Sequence, residues 1–542
     1  MTKKEYADIL LPGVEHTKEE YEEMYKDRNL PEGAIVTRFA PSPTGFVHIG
    51  GLLSSFIARK FAKQTNGVML LRIEDTDQKR LVENGVSKII EDLKSFDITF
   101  DEGATGEEDY SGNYGPYVQS QRKDIYQAFA KYLIERDLAY PCFMSEEELE
   151  EIRKGQEEIK ARIGVYGKYA KYRDITMEEA LEKINNGEKY IIRFKSPGNF
   201  DNKVVVDDAI RGKLEFPEND IDIVIIKGDG LPTYHFAHLV DDHLMKVTHV
   251  IRSDEWVSSL PTHVQLFDTF GYNRPTYAHI SPLMKKDGET VRKISKRKDP
   301  ESAVSFYHEQ GIPTDAVMIY LMTIANSNFE EWQENNKDKS YLDFEISFDK
   351  ISSSGALFDM DKLINISKNY ISTMKAEDLY NKTLEYASEF DKEFYELLAK
   401  YKDYSISVLN IEREVERPRK DIESYSTVRR EIDYMYDELF NPTYEKKDFY
   451  SKELLEYYID NVYDESDDKQ TWFNKIKEMC PKFGFASETK EYKANPENYK
   501  GSVAHACEVI RVAVTGRVQT PDLYEILKLL GKSRIKERIE KF

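Results

Sequence analysis

Residues 38–77 read RFAPSPTGFVHIGGLLSSFIARKFAKQTNGVMLLRIEDTD, and the order of elements within them decides the fold. The flank AIVTRFA (34–40) is apolar and β-branched enough for a short buried strand. Pro41, Pro43 and Gly45 then break regular structure and make a stiff loop. After His48, Gly50 and Gly51, the residues Leu53, Phe56, Ile57 and Phe61 recur at helical spacing, and Asn66 with Gly67 supplies a stop. VMLLRIED follows as a second strand. Strand, glycine-bearing loop, helix and strand form a nucleotide-binding βαβ layout. The glycines let a phosphate approach the backbone, and the helix N-terminus offers unpaired N–H groups and the positive end of its dipole. His48 stands just before that terminus, where it can donate to a phosphate oxygen; taken alone, HIGG fits equally a turn with helix-capping glycines and a structural histidine. The chain contains neither GxGxxG nor GxxxxGK[ST], so dinucleotide and P-loop readings have no support.

A second stretch, KKDGETVRKISKRK (285–298), carries seven basic and two acidic residues in an acidic chain. By itself such a run is either a solvated loop or a local anion site. PSPTGFVHIGG and KISKR, in this order, resemble the HIGH and KMSKS signatures of class I aminoacyl-tRNA synthetases. With RFAPSPTG, LLRIEDTD, PTYHFAHLVDDHLM and HVIRSDEW added, the chain resembles the bacterial-type glutamyl-tRNA synthetase family from about Ala34 to the C-terminus. The resemblance implies an α/β fold: a class I synthetase nucleotide-binding fold with a parallel sheet and an α+β insertion, then an all-helical C-terminal half. It also implies ATP-dependent activation of L-glutamate to glutamyl-adenylate and transfer to the 3′ end of tRNA(Glu), releasing AMP and pyrophosphate. Relatives need tRNA present for the first step.

At 542 residues the chain is long enough for three to five domains, and 40% hydrophobic with 32% charged residues is ordinary for a soluble globular protein. No run approaches the ~20 apolar residues of a membrane span. The N-terminal MTKKEYADILLPGVEHTKEEYEEMY lacks the apolar core of a signal peptide, so a cytoplasmic location is expected. Cys142, Cys480 and Cys507 are too scattered for a disulfide framework. Some relatives hold zinc with a CxC pair near AYPCFM; here the second position is Met144, and no zinc is expected. The net charge of −22 opposes nonspecific RNA binding, but phosphate contacts need only local basic patches.

Residues 1–33, with the charged helical TKEEYEEMYKDR, are expected to form an N-terminal extension packed on the outside, with no chemistry assigned. Residues 34–115 are the first half of the nucleotide-binding fold, with an amphipathic helix that has Val82, Val86, Ile89, Ile90 and Leu93 on one face and a strand at 98–100. Residues 116–220, which include YIIRFK and KVVVDDAIRGKLEF, read as an α+β subdomain, with Ser120 as a helix cap. By resemblance they are the insertion that receives the tRNA acceptor end. IDIVIIK (221–227) opens the returning half, 221–285, and is expected to rejoin the parallel sheet. Residues 286–375 carry the KISKR loop and resemble a stem-contact region. Residues 376–542 show helical periodicity and almost no strand signal, as a helical anticodon-binding region does. Their end, 511–542, holds eight basic and four acidic residues, a local surface for RNA.

Activation is in-line attack of a carboxylate on the α-phosphorus, so the site needs donors and cations around phosphate oxygens more than a protein nucleophile. His48, Lys293 and Lys296 are the catalytic candidates. Gly50, Gly51, Ser295 and Arg297 join them around ATP, whose Mg2+ arrives held mainly by phosphates and water. Gly51 replaces the second histidine of HIGH, which leaves His48 alone as the imidazole. Glutamate carries two carboxylates and an ammonium, so its pocket needs planar arginine forks and an acid. Arg38 and Arg252 at strand ends are the candidate forks, Glu74 the candidate acid, Ala40 and Ser42 the floor, and Tyr234 a wall; the alternative for Arg38 and Glu74 is a structural ion pair at strand ends. His238 stands where many relatives have Asn; it either alters how the substrate is held or is a packed helix histidine. Asp241, Asp242 and His243 look like a metal cluster on paper. Adjacent helical residues point different ways, however, so helix surface or C-terminal packing is expected and no metal site.

A glutaminyl-tRNA synthetase is disfavoured by the helical C-terminal half, and a shortened tRNA-base-modifying paralogue by its length. A catalytically silent tRNA-binding paralogue is disfavoured by the intact HIGG and KISKR. A monomer is expected, and tRNA(Gln) is left open as a second acceptor.

Overall fold

The computed structural model describes residues 1–444 and 447–542. The chain forms two compact units, Met1–Phe306 with Leu321–Asp359 and Tyr307–Tyr320 with Met360–Phe542; the stretch 286–375 contributes to both.

In the first unit, β1 (Val36–Phe39), α1 (Ile49–Gln64) and β2 (Val68–Leu71) follow one another as the apolar pattern requires. β1 and β2 pair in parallel with Arg38 opposite Leu70, and β2 pairs in parallel with β3 (Glu102–Ala104). Leu52, Leu53, Phe56, Ile57 and Phe61 bury one face of α1. Past the strand ends the chains stay side by side: Arg72 N–H donates to Phe39 O (3.0 Å) and Glu74 N–H to Pro41 O (3.0 Å). Those two bonds bring the carboxyl ends of the strands, with Arg38, Arg72 and Glu74, into one place.

The returning half comprises α2 (Tyr234–Leu244), β4 (His249–Ser253), α3 (Leu260–Phe270) and β5 (Thr276–Ile280). β4 and β5 pair in parallel with Arg252 opposite His279. Thr248 joins them to β1, donating its N–H to Val36 O (3.0 Å) while its hydroxyl accepts from Val36 N–H (2.9 Å).

IDIVIIK does not rejoin this sheet. Only Val224–Ile226 is extended, and it pairs antiparallel with Ile191–Phe194, itself antiparallel to Ala139–Cys142. The hairpin Lys203–Asp208 and Gly212–Pro217 lies beside β5 instead, through Tyr277 opposite Asp208. A short apolar run states that it is buried, not by which sheet. The helix expected from Val82 starts only at Gly85, after Asn84 turns left-handed (φ 54°), and leaves Val82 outside it and exposed. The expected strand at 98–100 also shifts: Asp97 turns left-handed (φ 56°) after the helix Gly85–Lys94, and pairing begins at Glu102. Ser120 does not cap a helix; it lies in a 3₁₀ turn (Gln119–Arg122) and donates its N–H to Asp75 Oδ1 (2.8 Å). The N-terminal extension forms two helices, Lys3–Leu10 and Lys18–Met24, each closed by a threonine–glutamate capping box. Tyr6, Leu10 and Tyr21 pack into the unit's core.

Among the described residues, the regular structure of the second unit is helical apart from one pair of two-residue strands, Phe485–Ala486 and Gly501–Ser502. Its terminal helix, Leu523–Lys541, breaks at Gly531 (φ 73°), and buried Arg538 donates to the carbonyls of Val514 (2.6 Å) and Tyr434 (2.7 Å). Among the described residues no helix is long and apolar enough to cross a membrane.

Candidate active site

His48 caps α1. Its Nδ1 accepts the Gly50 N–H (3.0 Å), which fixes the imidazole proton on Nε2. Burial, then the ammonium groups of Lys296 and Lys293, lower its pKa to about 4, so the ring is neutral. The lysine loop comes off a hairpin, β6 (Leu283–Asp287) and β7 (Thr290–Lys293). Buried Asp299 anchors it, accepting from both terminal nitrogens of Arg292 (2.6 and 2.8 Å) and from Ser295 N–H (2.8 Å). Those bonds, Arg292 first, hold the Asp299 carboxyl well below the usual range. Lys296 Nζ donates to Phe46 O (3.1 Å), and Lys293 pairs with Glu255. A cavity of about 520 Å³ results, lined by His48, Gly50, Gly51, Lys293, Ser295 and Lys296 together with Ser253 and Ile280 at the ends of β4 and β5. Of the residues expected around a nucleotide only Arg297 stays outside, exposed to solvent.

The amino-acid candidates form a second cluster. Asp242 is fully buried and accepts from Arg72 Nη1 (2.5 Å), with Arg38 Nε at 3.4 Å and His238 Nδ1 at 2.8 Å. Asp241 beside it accepts from Arg122 Nε (2.7 Å), Gln119 Nε2 (2.9 Å) and the Tyr126 hydroxyl (2.9 Å). Glu74 accepts from Arg72 Nη2 (3.1 Å), and burial raises its pKa against the pull of Arg72 and Arg38. Three guanidinium groups (Arg38, Arg72, Arg122) thus face three carboxylates (Glu74, Asp241, Asp242) in one water-poor network. The terminal nitrogens of Arg38 take no partner among the described residues. Ala40 is half-buried and Ser42 exposed on the loop after β1.

Arg252 differs from these arginines. It is 6% exposed, yet among the described residues no carboxylate pairs with it. Nε donates to His279 Nε2 (3.0 Å), Nη1 to the Tyr234 hydroxyl (3.0 Å) and Nη2 to His263 Nδ1 (3.1 Å). Three neutral acceptors hold the guanidinium and leave one N–H on each terminal nitrogen, the fork that a carboxylate accepts. The tautomers follow. His279 keeps its proton on Nδ1, facing Asp208 Oδ2 (2.6 Å), and His263 keeps its proton on Nε2, facing His235 Nδ1 (2.9 Å). Burial lowers the pKa of His235 to about 4 and that of His238 to about 3, and lowers His263 and His279 as well, so all four stay neutral. Burial also raises the Tyr234 hydroxyl, which senses Arg252, Glu74 and Arg38 together.

A family model described as tRNA synthetases class I (E and Q), catalytic domain, matches residues 34–365, and an anticodon-binding-domain model matches 393–542. The chain is 49% identical to the Glutamate–tRNA ligase of Clostridium perfringens (strain SM101 / Type A), with all of each chain covered. The chain belongs to the glutamate–tRNA ligase family. The Glutamate–tRNA ligase of Acetivibrio thermocellus is 48% identical, again over the whole of both chains. A crystal structure of a glutamate tRNA ligase from Elizabethkingia meningosepticum in complex with its amino acid has a TM-score of 0.75 at 26% identity, covering 94% of this chain and 98% of that one.

Within this glutamate–tRNA ligase fold several residues packed into the site escaped the sequence reading. Of the two expectations for Asp241 and Asp242, helix surface or packing, the structure shows packing: both are fully buried, among buried Arg72 and Arg122. The signal was two adjacent acids in the largely apolar, histidine-bearing HFAHLVDDHLM, since buried charges are paired charges. Arg72 sat unremarked inside RIED. Asp208, His263 and His279 carried no local signal, because their meaning depends on Arg252. His238 lies between Asp242 and the Tyr277 hydroxyl (3.1 Å), a packed helix histidine bound into the ion network. Met144 packs with Cys142, Tyr140 and Val165 in a small apolar cluster, and among the described residues no group of three potential ligands is placed to hold a metal.

Proposed function

We propose that the chain is an ATP-dependent glutamate–tRNA ligase whose two clusters divide the first reaction between them. ATP, with its Mg2+, occupies the cavity between His48 and the lysine loop. Gly50 and Gly51 admit its phosphates to the N-terminus of α1. Lys293 and Lys296, with Ser295 on the same loop, gather charge developing on the leaving pyrophosphate. Glutamate enters beside Tyr234. Its carboxylates meet the forks of Arg252 and Arg38, and Glu74 faces its ammonium. A carboxylate oxygen attacks the α-phosphorus, the bond to pyrophosphate breaks, and glutamyl-adenylate forms. A ribose hydroxyl at the 3′ end of tRNA(Glu) then attacks the activated carbonyl and releases AMP. The helical second unit carries the anticodon-binding region, and the ligase acts as a cytoplasmic monomer.

The observation that carries this reading is Arg252, a buried cation given only neutral partners. A substrate carboxylate completes it; the glutamine amide leaves it uncompensated, which is how a polar site rejects a near-isostere. Pyrophosphate exchange with glutamate and with glutamine, each with and without tRNA, tests the assignment. Exchange with glutamate only when tRNA is present is expected; exchange favouring glutamine would overturn the substrate. Charging of tRNA(Glu) and tRNA(Gln) separately then fixes the acceptor.

A further inference from the structure

We propose that His279 and Asp208 are positioning residues that aim the Arg252 fork at the substrate carboxylate. The inference rests on the reading of Arg252 given above. His279 is opposite Arg252 in the β4–β5 register, so backbone pairing sets its imidazole beside the guanidinium. Its Nε2 has a lone pair for Arg252 Nε only while the proton stays on Nδ1. Asp208 imposes that tautomer. Oδ2 accepts from Nδ1 at 2.6 Å, and the same carboxylate accepts the His279 backbone N–H at 3.2 Å.

Asp208 is itself fixed, since Oδ1 accepts the N–H groups of Ile210 (3.0 Å) and Arg211 (2.9 Å) in the turn of its hairpin. Asp208 is 3% exposed and His279 fully buried, so no water can exchange for either partner. Although burial opposes it, these bonds hold the Asp208 carboxyl below its usual range, which keeps it an acceptor at working pH. Arg211 ties the same turn to β5, donating to His279 O (3.2 Å) and to Ser281 Oγ (2.9 Å). A strand-end arginine is thereby oriented from behind by an imidazole and a carboxylate that never reach the substrate.

The test measures KM for glutamate and for ATP in aminoacylation by the full chain for wild type, H279L, H279Q, D208N and R252A. H279L removes the acceptor behind Arg252. D208N turns an amide N–H toward Nδ1 and drives the proton to Nε2, against the Arg252 N–H. Each is expected to raise KM for glutamate by about tenfold or more while KM for ATP stays within about twofold. H279Q offers one acceptor and one donor in the same directions and is expected to recover most of the loss. In protein with ¹⁵N-labelled histidine, the His279 resonances should report a proton on Nδ1 in wild type and on Nε2 in D208N. If R252A raises KM for glutamate but H279L and D208N do not, or raise both KM values alike, the positioning role is wrong and Arg252 keeps its own. If R252A leaves KM for glutamate unchanged, both readings fall. If H279L does not fold, D208N and its tautomer decide: an unmoved proton overturns the proposal.

Discussion

Lys296 Nζ donates to the carbonyl oxygen of Phe46 at 3.1 Å, across 250 positions of sequence, and so closes the lysine loop onto the histidine–glycine turn. The ammonium also lies 4.9 Å from the centre of the Phe46 ring. These contacts hold the loop against the turn, and burial lowers the lysine's pKa there. Lys296→Ala should cut adenylate formation by about 10²–10³-fold, the loss usual for one preorganised charge-stabilising donor. Affinity for tRNA should stay near wild type. Equal loss of both would make Lys296 a structural or RNA-contacting lysine.

Lys293 pairs with Glu255 at the edge of the same cavity, and both side chains are well exposed. An exposed pair is worth about 0–1 kcal/mol, so on the proposed reading a nucleotide would displace Glu255 from Lys293 at small expense. Glu255→Gln frees Lys293 in advance. KM for ATP should fall by no more than about fivefold, and the gain should shrink as salt is added. A rise in KM instead would mean that Glu255 itself contacts the nucleotide.

Asp242 neutralises Arg38 and Arg72, with all three side chains buried. Asp242→Asn leaves one guanidinium charge uncompensated. Breaking a buried pair by removing one partner typically costs about 3–5 kcal/mol. The first unfolding transition in urea should therefore move to markedly lower denaturant, and added Mg2+ or Zn2+ should not restore it. A change below about 1 kcal/mol would show that the network relaxes and that Asp242 is dispensable.

The sequence made β1, α1, β2 and the lysine loop legible because each is specified locally: alternating or helical apolar spacing, prolines, paired glycines, a dense basic run. The partition of the amino-acid cluster was not. Arg38 and Arg252 look alike in sequence, each an arginine ending an apolar strand. Only the fold reveals that Arg38 shares Asp242 whereas Arg252 rests on three neutral rings. The same limit explains IDIVIIK, whose burial was evident and whose sheet was not. Electrostatic pairing at long range is a property of topology, and topology is set by contacts that no local window contains.

His235 and His238 make pH the sharpest probe of that cluster. In an unfolded chain each titrates near 6.5; folded, burial holds them near 4 and 3. The unfolded state therefore binds more protons below pH 6.5, and the sign follows from linkage. Stability from these groups is complete above 6.5 and is lost as pH falls toward 4, by about 1.4 kcal/mol per pH unit for each histidine. Between pH 6.5 and 5 most carboxylates stay ionised, so the histidines dominate the slope. Denaturant unfolding across that window should give a steep fall, with His235→Gln removing about one proton's share of it. KM for glutamate should meanwhile stay flat from pH 8 to 6, because the rings that hold Arg252 are already neutral. A KM that climbs through the ordinary histidine range would mean that one of these rings takes a proton in the folded state and pushes an N–H against the guanidinium.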